Sequence, residues 1–225
     1  MYKLNQKIIA DLAYFIKLRY EIDVADDPKM LNSFLALQEH LNQAVMDNYF
    51  RNHWTPDPDN STHRTGDELL ERLRHMNPER VLDVGCAGNE WKKSLGDCVW
   101  GIDPHNAAAD EQTDILDFQN ADIGKYDVVL ALGSVNFGDI TTIGRQVNKI
   151  VSCARPGGKI FWRMNPGITH DNGLADWVDF FPWSEDHIRN FAEQNNCPVV
   201  EIAWDQPVEQ ERRWGNRFYS EWTKK

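Results

Sequence analysis

Long apolar runs are missing from this sequence. No stretch approaches the ~18 apolar residues that a membrane-spanning helix needs. The start, Met1-Tyr-Lys-Leu-Asn-Gln6, lacks the basic, apolar and small-residue regions of a signal peptide. Cysteine is sparse too. The four present, Cys86, Cys98, Cys153 and Cys197, lie far apart with no Cys-x-x-Cys pair, so neither a zinc site nor a disulfide framework is expected. A reducing, cytoplasmic setting with no metal is the default. Positive charge is the third deficit: 24 Lys and Arg face 35 Asp and Glu, for a formal net charge of −11 and a pI of about 5.0. A protein that holds nucleic acid through many phosphates carries a basic face, and this balance opposes that. Arg212, Arg213, Arg217, Lys224 and Lys225 are the one local basic cluster. No internal repeat or low-complexity run is present.

What is there suits one α/β domain with a modest extension, since 225 residues can bury a substantial core. Of nine tryptophans, six fall after residue 160, which makes the last third aromatic. Most are expected as core side chains. The chain is organised around Val81-Leu-Asp-Val-Gly-Cys-Ala-Gly-Asn-Glu-Trp91. Val81, Leu82 and Val84 suit a strand buried on both faces, interrupted by Asp83. Gly85, Cys86, Ala87, Gly88 and Asn89 are small or tolerate unusual backbone angles, and a helical segment, Glu90 to Leu95, follows. Strand, tight turn and helix bring backbone N–H groups and a helix N-terminus against a ligand at the carboxyl edge of a parallel sheet. The acid at the strand end fits a ligand that also carries positive charge.

Asp83-Val-Gly-Cys-Ala-Gly88 resembles motif I of the class I S-adenosylmethionine-dependent methyltransferases, an acid-x-Gly-x-Gly-x-Gly run. Ala87 replaces the second family glycine and Asn89 the third; Asn accepts left-handed angles better than most residues. The resemblance continues in order. Val99-Trp-Gly-Ile-Asp103 is a short strand ending in an acid about twenty residues after Asp83, where such folds hold ribose hydroxyls. Pro104 and His105 would then lie near the adenine edge. Asp114 is the candidate acceptor of the adenine amino group, with Ile115 against the base. Tyr126 to Leu132 is a near-continuous apolar run, as a buried parallel strand is. Its end, with Leu132 and Gly133, is where methyl group and acceptor would meet. Arg155-Pro-Gly-Gly158 matches a turn that recurs in the family before a strand. The implied cofactor is S-adenosylmethionine, with Asp83, Gly85, Cys86, Ala87, Gly88, Asn89, Trp91, Asp103, Pro104, Asp114, Ile115, Leu132 and Gly133 around it. The implied fold is a Rossmann-like three-layer α/β sandwich, a mostly parallel seven-stranded sheet with an antiparallel last strand, plus an N-terminal helical cap.

The cap is expected over residues 1–64 and the methyltransferase-like domain over 65–225. Leu4 to Tyr20 and Pro28 to about Phe50 have amphipathic helical spacing. Residues 52–64 form the clearest loop, rich in Pro, Asp, Asn and Ser. Thr65-Gly-Asp-Glu68 has the spacing of a capping box before the next helix. Ser184 is expected as the N-cap of a helix ending near Asn196, and Val199–Trp204 and Trp214–Trp222 as a terminal antiparallel pair. The loop after the strand at 159–165 holds His170 and Asp171, the only adjacent His-Asp pair, expected as a general base and its orienter, with Arg163 beside them.

A small molecule or protein is the expected acceptor, with nucleic acid and membrane disfavoured; no oligomeric state follows. Asp83, Asp103, Asp114 and Asp139 are expected to floor an acidic cleft. There is no Asn/Asp-Pro-Pro-Tyr run and no Pro-Cys nucleophile. The spacing from Asp83 to Trp91 also resembles RNA 2′-O-methyltransferases, but their Lys-Asp-Lys-Glu tetrad finds Arg163 and Gly133 or Ser134 instead. A non-catalytic binding or assembly protein on the same fold is a further alternative. An NAD-dependent oxidoreductase is another, though it leaves the Arg155–Gly158 turn and the terminal pair unexplained.

Overall fold

Six strands form one sheet in the order β2-β1-β3-β4-β6-β5 in the computed structural model of the protein. The structure describes residues 3–52, 63–166, 180–206 and 216–225. The strands are β1 Val81–Val84, β2 Val99–Ile102, β3 Tyr126–Leu132, β4 Ala154–Met164, β5 Val199–Trp204 and β6 Phe218–Thr223. β1 pairs in parallel with β2 and β3, and β3 with β4; β6 runs antiparallel between β4 and β5. The antiparallel closing strand is as expected. The seventh strand is not seen among the described residues. In its place a single parallel bridge joins Ile102 to Glu111. The following residues turn instead: Asp114 accepts the Leu116 N–H on its carboxylate and the Asp117 and Phe118 N–H groups on its carbonyl.

The parallel strands are mostly apolar because both faces are covered, and alternation sorts their side chains into two cores. Leu82, Val84, Val129, Ala131, Ile160, Trp162 and Met164 join Ile143, Val147 and Ile150 of α5 (Ile140–Cys153) and Ile188 and Phe191 of α6 (Glu185–Gln194). On the other face Val81, Val128, Leu130 and Phe161 meet Leu69 and Leu73 of α3 (Leu69–Met76), with Trp91 and Leu95 of α4 (Glu90–Leu95) packed alongside. The layers are thus helix, sheet, helix. Trp162, Trp183 and Trp222 are fully buried, as expected of core aromatics.

The chain divides into two compact units, one of Met1–Thr55 with Asp171–Asp179 and one of Pro56–His170 with Phe180–Lys225. The first contains α1 (Lys3–Tyr20) and α2 (Pro28–Asn52), joined by a short 3-10 turn at Val24–Asp26. The sheet belongs to the second. Among the described residues no helix is long and apolar enough to cross a membrane.

Three local expectations are corrected. Thr65 does not cap α3: residues Arg64–Glu68 form a wide turn bent at Gly66, and the Thr65 N–H and hydroxyl both donate to Asp205, at 2.9 and 3.0 Å. Arg155–Gly158 is no free turn but an outward bulge within β4, three residues longer than the matching stretch of β3. Gly157 there has φ 77°, and its N–H donates to the Lys224 carbonyl at 2.7 Å. A side chain at Gly158 would sit 2.9 Å from the Arg155 carbonyl and 3.0 Å from that of Tyr126, so this position admits only glycine. Asp139 is no cleft floor. It is the exposed N-cap of α5, accepting the Thr142 N–H at 2.8 Å, and that bond holds its carboxyl below the usual range.

Candidate cofactor site

The turn after β1 is fixed by strain that its residues tolerate. Gly85, Ala87 and Asn89 all have positive φ, at 74°, 46° and 59°. At Ala87 this costs more than at glycine or asparagine, and the Asp103 carboxylate offsets it by accepting the Ala87 N–H at 3.0 Å. The other Asp103 oxygen accepts the His105 N–H at 2.8 Å. Gly85 and Cys86 both donate to the Ile102 carbonyl, and the Asn89 N–H donates to that of Cys86. The N–H groups of residues 85, 86, 87 and 89 are therefore spent inside the protein. The turn was expected to offer a ligand donors; it offers acceptors instead.

The chief acceptor is Asp83. Its side chain is buried, with 3% of the residue exposed, and Oδ2 has no hydrogen-bond partner among the described residues. Burial raises the carboxyl to about 7, and the nearby charge of Asp103 adds to that. Burial also pushes the Cys86 thiol up to about 12, so this cysteine is an inert wall.

Asn89 accounts for the departure from the expected glycine. Its amide nitrogen donates to the Ala108 carbonyl at 3.1 Å and to Asp110 Oδ2 at 3.2 Å. The same Asp110 accepts the Gly101 N–H at 2.8 Å and pairs with Lys92 at 2.5 Å. Burial works against ionising Asp110, but these donors outweigh it and its carboxyl lies below the usual range. The side chain of Asn89 needs room on β2: a Cβ at Gly101 would lie 2.5 Å from Asn89 Oδ1 and 2.8 Å from Cys86 Sγ. The glycine missing at 89 is thus matched by one present at 101.

Around this turn the other expected residues are placed as follows. Asp114 is half-buried, and burial raises its carboxyl. Pro104 is exposed, whereas Ile115 is only 3% exposed and packs in the larger core. Trp91 and Leu132 are half-buried against the core on the α3 side. Gly133 has φ 109° and opens the loop after β3. In that loop the buried Asn136 donates to the Gly133 carbonyl at 2.8 Å and accepts the Asn165 N–H at 2.8 Å. Its own carbonyl accepts the Phe181 N–H, and the Trp183 indole donates to the Val135 carbonyl at 2.9 Å.

Arg163, next to last in β4, is engaged by protein groups. Its Nε lies 2.7 Å from Asp205 Oδ2 and its Nη2 lies 3.1 Å from His63 Nδ1. Asp205 is fully buried just past the end of β5, and the buried His63 also meets the side-chain amide of Gln206. Asp205 thereby collects Thr65 and Arg163 at one point. Sequence reasoning missed it, although it is a strand-end acid of the same kind as Asp83 and Asp103. His170, Asp171, Arg212 and Arg213 lie outside the described residues. A separate groove of about 390 Å³ runs between α5 and α6, lined by Ile140, Arg145, His187 and Phe191 among others, and includes none of the turn. Among the described residues no cluster of His, Cys, Asp and Glu could hold a metal ion.

This sheet order, with an acid at the end of each of the first two strands and an antiparallel last strand, is the fold of the class I S-adenosylmethionine-dependent methyltransferases. Solved structures bear out the fold. The chain is similar to the 1,6-didemethyltoxoflavin-N1-methyltransferase of Burkholderia thailandensis, solved with 1,6-didemethyltoxoflavin and S-adenosylhomocysteine. The TM-score is 0.61 at 15% identity, over 82% of this chain and 89% of that one. It is also similar to the magnesium protoporphyrin IX methyltransferase of Synechocystis PCC 6803, solved with S-adenosylhomocysteine, at TM-score 0.59 and 14% identity over 85% and 99% of the two chains. A third is an S-adenosylmethionine-dependent methyltransferase of Clostridium acetobutylicum ATCC 824, at TM-score 0.54 and 11% identity over 83% and 98%. No protein-family model and no curated protein sequence matches the chain.

Proposed function

We propose that the protein binds S-adenosylmethionine at the carboxyl ends of β1, β2 and β3 and transfers its methyl group to a small-molecule acceptor. One observation carries this reading. The buried Asp83 carboxyl has no partner at Oδ2 among the described residues, beside a turn in which the N–H groups of residues 85, 86, 87 and 89 are already used. Such a site suits a cation, as the ammonium of an amino-acid moiety is. A pyrophosphate needs several N–H donors, and four of the five in this turn are already used, which disfavours NAD.

When bound, the cofactor supplies an electrophilic methyl group on a sulfonium. The chain's own residues bind and align. Asp83 neutralises the ammonium. Asp103 gives one lone pair of each oxygen to Ala87 and His105 and keeps others for the ribose hydroxyls. Asp114 accepts from the adenine amino group, with Pro104 and Ile115 beside it, and Leu132 and Gly133 border the methyl. Arg163, held by Asp205, is the described candidate for orienting the acceptor; a general base for a nitrogen or oxygen acceptor remains assigned to His170 and Asp171 on sequence grounds alone. Alignment supplies most of the acceleration, since well-oriented partners gain up to ~7–11 kcal/mol. The small-molecule acceptor is supported by the acceptors named for two similar structures and by the charge of −11, which repels phosphates.

Thermal denaturation with added ligand tests the cofactor. S-adenosylhomocysteine at a hundredfold excess over its Kd should stabilise the protein by ~2.7 kcal/mol. No shift at millimolar concentration, with a clear shift by NAD, would overturn the reading.

A further inference from the structure

β1 and β3 are neighbours in the sheet, yet the chain leaves them in opposite directions: toward β2 through α4, and toward β4 through α5. Such a point opens a crevice at the carboxyl edge, where α/β folds bind ligands. In this protein the floor of the crevice is a contact between Gly85, just past β1, and Ser134, just past β3. A Cβ at Gly85 would lie 2.5 Å from Ser134 Cβ and 3.4 Å from Ser134 Oγ, so the two loops touch at a glycine. Ser134 Oγ is buried and has no hydrogen-bond partner among the described residues, the same condition as Asp83 Oδ2. Two orphaned oxygens thus belong to the two segments that meet at this contact: Asp83, two residues before Gly85, and Ser134 itself.

Burying a hydroxyl without a partner destabilises the free protein. Asn136 grips the Gly133 carbonyl and is itself held by the Asn165 N–H, so the loop carrying Ser134 is braced from β4. A hydroxyl kept dry and unpaired on a braced loop has the form of a prepared binding group.

We propose that Ser134 is the second holding group for the amino-acid end of the cofactor, its Oγ accepting one N–H of the ammonium that Asp83 neutralises. An ammonium has three donors and Asp83 Oδ2 satisfies one, so the two orphaned oxygens match the same ligand group. The inference rests on S-adenosylmethionine as the cofactor, and its test separates the two.

Calorimetry with two probes decides it: S-adenosylhomocysteine, which has the amino-acid end, and 5′-methylthioadenosine, which lacks it. Ser134→Ala should weaken S-adenosylhomocysteine about tenfold, as losing a hydrogen bond to a charged group does, and leave methylthioadenosine within about twofold of the parent. Ser134→Cys, isosteric but a weak acceptor, should show the same split. Equal affinity of variant and parent for both probes overturns the proposal, and so does an equal loss on both, which marks a structural role. A parent protein that binds neither probe overturns the cofactor reading itself.

Discussion

Asp103 ties the end of β2 to the turn after β1, with its Oδ2 accepting the Ala87 N–H at 3.0 Å. A residue expected only to meet a ligand therefore also holds a strained backbone. Asp103→Ala should weaken S-adenosylhomocysteine by at least ~1.5 kcal/mol and lower folding stability by ~1–3 kcal/mol. Titration calorimetry and urea denaturation measure the two. A variant as stable as the parent would show that Ala87 needs no such tether.

The pH dependence of stability follows from Asp83. Its folded-state carboxyl stands at about 7 against the ordinary 3.8, so the folded protein holds a proton there that the unfolded chain has released. This contribution is complete below about 4 and is lost as pH rises to about 7, a change of a few kcal/mol at ~1.4 kcal/mol per tenfold change in proton affinity. Cofactor affinity runs the other way, strengthening as pH rises through about 7 and the carboxylate forms. Asp83→Asn should flatten both profiles, stabilise the free protein at pH 8 and weaken S-adenosylhomocysteine more than tenfold. Melting curves from pH 4 to 8, with and without ligand, give both slopes.

Asn89 and Gly101 should behave as a coupled pair. Gly101→Ala places a methyl group 2.5 Å from Asn89 Oδ1, and the overpacking should cost ~1–3 kcal/mol. Asn89→Gly removes the obstacle and keeps a residue that tolerates φ 59°. The double variant should therefore recover ~1 kcal/mol or more relative to the sum of the single changes. Additive losses in a double-mutant cycle would refute the coupling.

Asp205 is fully buried and collects Thr65 and Arg163. Asp205→Ala leaves the guanidinium without its counter-charge and should destabilise by ~3–5 kcal/mol. Asp205→Asn, which keeps an acceptor, should lose less. Chemical denaturation ranks the two.

The sequence made the central architecture legible because its signals are local. A short, near-continuous apolar run such as Tyr126–Leu132, rich in Val and Leu, reads as a strand covered on both faces, and Asp83, Gly85 and Asp103 stand in fixed order. What failed depended on distant partners. Thr65 had the spacing of a cap, but Asp205, 140 residues later, takes both its donors. The seventh strand is not seen among the described residues; after the single bridge from Ile102 to Glu111 the chain turns on the local hydrogen bonds of Asp114. That the turn N–H groups would be spent internally was equally invisible, since their acceptors, the Ile102 carbonyl and the Asp103 carboxylate, belong to β2 and the residue just after it.

β6, the latest strand in chain order, lies inside the sheet and is the one neighbour of β5 among the described residues. During synthesis, then, β5 must wait for residues 218–223 for its partner, and β4, already paired with β3, for its second. Until that strand threads between them, the edge of β4 is an open template for another chain. Its own bulge, whose Gly157 N–H closes on the Lys224 carbonyl, cannot lock any sooner. Ribosome-arrested chains lengthened stepwise past residue 204 should therefore stay protease-sensitive and prone to self-association until β6 has emerged, then become protected in a single step.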